Sequence, residues 1–137
     1  ITFTYGFTEF EFDSDPTGFR NTEDQFDDEN FTPNSRAILQ IRHAWEDYAV
    51  LLRTSYWGES ENYQSGNIQD FDPVGMTDLQ FTYFGDGFAL TMGGMNVFDE
   101  YPDEDEIGDF CCGRIYPSIS NISWMGGRWY VKASKEF

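Results

Sequence analysis

Apolar and polar residues take turns along six stretches of this chain. Within residues 1–12, Ile1, Phe3, Tyr5 and Phe7 alternate with Thr2, Thr4, Gly6 and Thr8. In SRAILQIRHAW, Ala37, Leu39, Ile41, His43 and Trp45 fall on one side, and Arg36, Ile38, Gln40, Arg42 and Ala44 on the other. A tight turn at WEDY leads to YAVLLRTSYW, where Tyr48, Val50, Leu52, Thr54 and Tyr56 oppose Ala49, Leu51, Arg53, Ser55 and Trp57. MTDLQFTYF sets Thr77, Leu79, Phe81 and Tyr83 against Asp78, Gln80, Thr82 and Phe84. FALTMGGMNVF sets Phe88, Leu90 and Met92 against Ala89, Thr91 and Gly93. The closing run sets Trp129, Val131, Ala133, Lys135 and Phe137 against Arg128, Tyr130, Lys132, Ser134 and Glu136. A period of two marks strands whose faces meet different surroundings. No amphipathic helix and no short repeat stands out.

The connections take turns as well. Polar stretches rich in Asp, Gly and Pro predict loops over about residues 13–34, 58–75 and 99–123. Between them lie short turns, among them FGDGF, whose Asp-Gly pair supplies the positive φ of a tight hairpin. Short turns on one rim and long loops on the other are the layout of an outer-membrane barrel. Strands of about 9–11 residues match a tilted membrane crossing. A soluble antiparallel sandwich, with one dry and one wet face, has the same alternation.

Charge placement favours the barrel. The chain of 137 residues carries 25 acids and 8 bases, a formal charge of −17. Asp78 and Glu136 are the only acids in the last five strands, and Glu9 and Glu11 close the first. The bases Arg36, Arg42, Arg53, Arg128 and Lys132 all fall on the face opposite the aromatic and aliphatic one. A cation facing lipid at the midplane costs ~2–4 kcal/mol, whereas one facing a wet lumen costs little. Trp45, Tyr48, Tyr56, Tyr83 and Trp129 lie near strand ends, as interfacial girdles require. Phosphates would be repelled by such a charge, which argues against nucleic acid. Aromatics at 19% argue for order in spite of the acidity. Nothing approaches the ~18 apolar residues of a spanning helix. The start at Ile1, inside an alternating run, reads as a processed chain or a piece of a longer one.

The last third carries a resemblance. Gly94, Asn96, Val97, Phe98 and Asp99 match a phrase that ends the penultimate strand of TonB-dependent outer-membrane receptors, and Gly127, Trp129, Tyr130 and Phe137 match their last strand. Pro33, Arg36, Ala37, Arg53, Tyr56 and Gly58 resemble an earlier strand and hairpin of that family. Lys135 departs from the pattern, at a place where an aromatic is common. The resemblance implies an all-β fold: an antiparallel meander of about six strands over residues 1–137, forming the C-terminal part of a transmembrane β-barrel. Six strands are too few for a closed membrane barrel, which needs about eight, and outer-membrane transporters reach about 22. The plug domain and the earlier strands would lie elsewhere.

The implied function is TonB-energised uptake of a scarce ligand (a siderophore, a vitamin or an oligosaccharide) across the outer membrane of a Gram-negative bacterium. The implied partners are outer-membrane lipid and lipopolysaccharide, the rest of the same barrel and plug, the TonB complex through that plug, and the barrel-assembly machinery. Trp129, Val131 and Phe137 resemble the signal that this machinery reads. The alternatives are a secreted or periplasmic β-sandwich that binds Ca²⁺ or carbohydrate, and a passive porin.

Catalytic chemistry is not expected. His43 is the only histidine and reads as an interfacial residue beside Trp45 rather than as a base or ligand. Ligand contacts are expected from the long loops, with Trp57, Tyr63, Phe71, Tyr101, Phe110, Arg114 and Tyr116 as candidates, since aromatics with a few polar groups suit sugars or chelates. No resident cofactor is expected. Asp103, Glu104, Asp105 and Glu106, within a larger acidic cluster, offer carboxylates to Ca²⁺ but lack the spacing of a calcium loop. The plainer expectation there is a solvated loop, bridged to lipopolysaccharide by divalent ions. Cys111 and Cys112 are adjacent, and a vicinal disulfide is expected ahead of a metal site.

Overall fold

The computed structural model describes residues 1–11, 13, 15, 18–107, 115–117 and 120–135. The alternating stretches form strands β1 (Thr2–Phe7), β2 (Ser35–Ala44), β3 (Tyr48–Trp57), β6 (Val74–Gly85), β7 (Phe88–Met95) and β8 (Arg128–Lys135). They pair antiparallel in one six-stranded sheet of order β1-β2-β3-β6-β7-β8. Every neighbour is also the next long strand in sequence, so the sheet is a meander. It is open: β1 and β8 stand at its two edges.

The register keeps the two faces apart across the whole sheet. Leu39 pairs Phe3 and Thr54, Leu52 pairs Ile41 and Leu79, Phe81 pairs Val50 and Met92, and Met92 pairs Val131. On the reverse face Gln40 pairs Arg53, Arg53 pairs Asp78, and Thr91 pairs Lys132. A slip of one residue would exchange these sets.

Among the described residues no second layer covers the apolar face. Leu79 is 42% exposed, Met92 56% and Val131 67%. The buried hydrophobics among the described residues are Ala49 and Ile122. Contiguous apolar patches on monomers rarely exceed a few hundred Å² unless they are interaction sites, and this one spans six strands.

Two stretches expected as loops contain structure. Residues Thr22–Asn30 form helix α1. Asn21 caps it: its side chain accepts the Asp24 N–H at 2.8 Å, while Asp24 takes the Asn21 N–H at 3.4 Å. Glu23 and Asp24 also sit where the helix dipole favours acids. The helix has one apolar residue, Phe26, so no periodicity announces it. The second stretch folds as the hairpin β4 (Ser60–Gln64) and β5 (Asn67–Phe71). Its turn puts both Ser65 (φ 54) and Gly66 (φ 82) in the left-handed region, as a two-residue type I′ loop requires. The helix and this hairpin meet at the long-connection rim. The Tyr63 N–H donates to Asp27 Oδ1 at 2.7 Å, the Gly66 N–H donates to Glu23 Oε1 at 2.9 Å, and Phe26 meets Tyr63 edge to face.

β1 is shorter than residues 1–12, and the strand after the Asp-Gly turn stops at Met95 rather than Phe98. There a left-handed turn at Asn96 takes over.

Candidate functional site

Charge and apolar surface are sorted by place. The three long connections, residues 8–34, 58–73 and 96–127, hold 20 of the 25 acids and two of the eight bases. Aromatics gather at both strand ends of the apolar face. At the short-turn rim Tyr48 lies 5.4 Å from Tyr83 and 5.6 Å from Phe81, Tyr83 lies 5.8 Å from Phe88, and His43 meets Trp45 at 4.1 Å. Tyr56 and Trp129 occupy the opposite end.

The polar face carries a hydrogen-bonded track. Tyr130 lies over Gly93, where a Cβ would strike its ring. From there its hydroxyl donates to Gln80 Oε1 at 2.9 Å. Gln80 Nε2 donates to Thr82 Oγ1 at 3.4 Å, and the Thr82 and Thr91 hydroxyls are 3.1 Å apart. Closer to the long-connection rim, Arg36 stands over the Trp57 ring at 5.1 Å.

At that rim the residues Asn96 to Asp99 form a knot. Asn96 takes φ 52 and is 4% exposed, yet its amide is satisfied. It accepts the Glu100 N–H at 3.0 Å and donates to the Glu100 carbonyl at 2.7 Å. The Asn96 N–H donates to Asp78 Oδ1 at 3.0 Å. Asp99, also left-handed at φ 60, accepts the Gly127 N–H on Oδ1 at 2.7 Å. Gly126 (φ 65) approaches so closely that a Cβ would meet the Tyr101 hydroxyl and Asp99. The knot therefore ties both ends of the connection between β7 and β8. Asp99 holds the Tyr101 phenol above its ordinary pKa of 10.0, first through their hydrogen bond and then through its charge. These residues entered the sequence reading through a resemblance. Their bonds give the phrase a physical reason: Asn and Asp tolerate the left-handed turn and supply the acceptors.

Phe31, Phe71, Tyr101, Asp72, Glu100 and Asp103 line a cavity of about 170 Å³ between the loops. Phe31 meets Phe71 edge to face at 6.3 Å, and Tyr101 stacks on Tyr116 at 6.3 Å. Asp103 Oδ2 accepts the Asp72 N–H at 2.6 Å, which joins two of the connections.

The expected ligand residues therefore separate. Phe71 and Tyr101 share the cavity, with Tyr116 behind Tyr101. Tyr63 packs against α1, and Trp57 belongs to the polar face with Arg36. Phe110, Arg114, Cys111, Cys112 and Phe137 lie outside the described residues. In the acidic stretch, Gln69 bridges the chain by donating to the Glu104 carbonyl and accepting the Glu106 N–H, while the Asp105 N–H donates to the Ile115 carbonyl. Among the described residues no three His, Cys, Asp or Glu side chains converge as a metal set.

By fold, then, the described chain is an open antiparallel meander with one apolar and one polar face. Comparisons with protein-family models, with curated proteins and with solved structures gave no match. No described helix is long and apolar enough to cross a membrane, which says nothing of strands.

Proposed function

We propose that this chain is the C-terminal wall of a TonB-dependent outer-membrane receptor that imports a scarce ligand. The observation that carries the reading is the uncovered apolar face of a six-stranded meander whose reverse face bears the arginines. Water disfavours such a face, and hydrocarbon does not. A sandwich would bury it under a second sheet, and the one other sheet among the described residues, β4-β5, packs against α1 at the long-connection rim instead. Dimensions agree. Tyr48 and Tyr56 bound β3 eight residues apart, about 26 Å along a strand at ~3.3 Å per residue. Tilted by ~40°, that is ~20 Å of depth, close to the ~25 Å apolar band of such barrels.

In this reading β1 and β8 pair with the remaining strands of a larger barrel. The short turns face the periplasm, and the acidic rim faces outward, where divalent ions bridge it to lipopolysaccharide. The arginine face lines the lumen beside the plug, through which the TonB complex acts. Trp129, Val131 and Phe137 are read by the assembly machinery. The test is lipid contact. Spin labels at Leu39, Leu79 and Val131 of the full-length receptor should report hydrocarbon, and the protein should show heat-modifiable gel mobility. Labels that report a dry protein interior, in a protein soluble without detergent, would refute it.

A further inference from the structure

The rim cavity has a chemistry of its own. Its walls include three aromatic residues, Phe31, Phe71 and Tyr101, and three acids, Asp72, Glu100 and Asp103, and among the described residues no lysine, arginine or histidine. The rings are held by neighbours: Phe31 and Phe71 by each other, and Tyr101 by Tyr116 and Asp99. The bond from the Asp72 N–H to the Asp103 carboxylate holds the two acid-bearing loops side by side. At about 170 Å³ the space is below the ~300–1,000 Å³ of a whole-ligand pocket. It suits one functional group of a larger molecule.

We propose that this cavity is a subsite for an organic ammonium group carried by the receptor's ligand. Aromatic faces attract a cation through their quadrupole, and ammonium sites are built from such rings. Carboxylates supply the counter-charge. An anion would meet three carboxylates and, among the described residues, no base. A neutral sugar would use the rings but leave the carboxylates without their charge partner. The three long connections, which hold 20 acids and two bases in sequence, attract cations over a Debye length of about 8 Å at physiological salt.

That the bound molecule is then imported rests on the receptor reading. The cavity's selectivity does not, because it is measured in detergent solution. The full-length protein is titrated with n-butylammonium chloride and with n-butanol at low salt, followed by tyrosine fluorescence. Saturable ammonium binding, about tenfold or more tighter than butanol, is expected from the charge pairing and cation–π attraction. Phe71→Leu, which keeps the bulk but removes the ring, should weaken it about threefold or more, and Phe71→Tyr should restore it. Asp103→Asn should weaken it as well, and Asp86→Asn, in the turn at the opposite rim, should not. Far-ultraviolet circular dichroism checks that each variant is folded. Equal binding of butanol, a linear response without saturation, or equal loss in Asp86→Asn would overturn the proposal. Failure of the lipid-contact test would instead overturn the receptor reading and leave the measured selectivity standing.

Discussion

The two faces of the sheet make opposite demands on one substitution. Leu52 lies midway along β3, between Ile41 and Leu79, on the apolar face. In the receptor reading that is near the bilayer midplane, where an arginine facing lipid costs ~2–4 kcal/mol. Gln80 lies at nearly the same depth on β6, on the other face, between Leu51 and Gly93. Gln80→Arg costs the hydrogen bond from Tyr130, about 0.5–1.5 kcal/mol. The contact to Thr82, at 3.4 Å, adds little. Leu52→Arg should therefore be the more costly by about 1–3 kcal/mol, roughly a five- to 150-fold difference in the folded-to-unfolded ratio. The assay is reversible urea unfolding of the full-length protein in lipid vesicles, with membrane yield in cells as the second reading. Equal loss in both variants, or a larger loss for Gln80→Arg, would refute the assignment of the faces.

The other predictions concern the rim and the polar track. Asn96→Ala should destabilise by about 2–3 kcal/mol, since it leaves a Glu100 N–H and carbonyl unpaired and puts alanine at a positive φ. Asn96→Gly should recover only the backbone part, read in the same urea titration. Gly93→Ala should cost about 1–3 kcal/mol through collision with the Tyr130 ring. In a Tyr130→Ala background the same change should be nearly neutral, and a double-mutant cycle without coupling would count against the contact. The Tyr101 phenol has a raised folded pKa. Its contribution should thus be complete below the ordinary tyrosine value and lost as pH climbs through the folded value. Alkaline unfolding of the wild type should show this loss, and Tyr101→Phe should not.

Alternation alone decided most of the architecture. Residues such as Leu39, Leu52, Phe81 and Val131 stand two apart from others of their kind, and that spacing specifies both strand and face. The short turns then specified two of the pairings, β2 with β3 and β6 with β7, because strands joined by a tight turn pair antiparallel; the three pairings across the long connections were decided in the tertiary structure. Tertiary structure decided what depends on partners distant in sequence. Helix α1 has one apolar residue to announce it, yet it holds because Phe26, Asp27 and Glu23 find partners on the β4–β5 hairpin about 40 residues on. That hairpin was legible only at Ser65-Gly66, a weak turn signal. Apart from the family phrase it matches, Asp99 is one more acid in an acidic loop. Its role follows from Gly127, 28 residues later, and no local pattern encodes a bond of that span. Phe71 and Tyr101 could be chosen as loop aromatics, but their sharing of one cavity with Phe31 depends on three connections folding back to the same rim. A strand's period is a property of its own backbone, whereas a site is set by where separate segments meet.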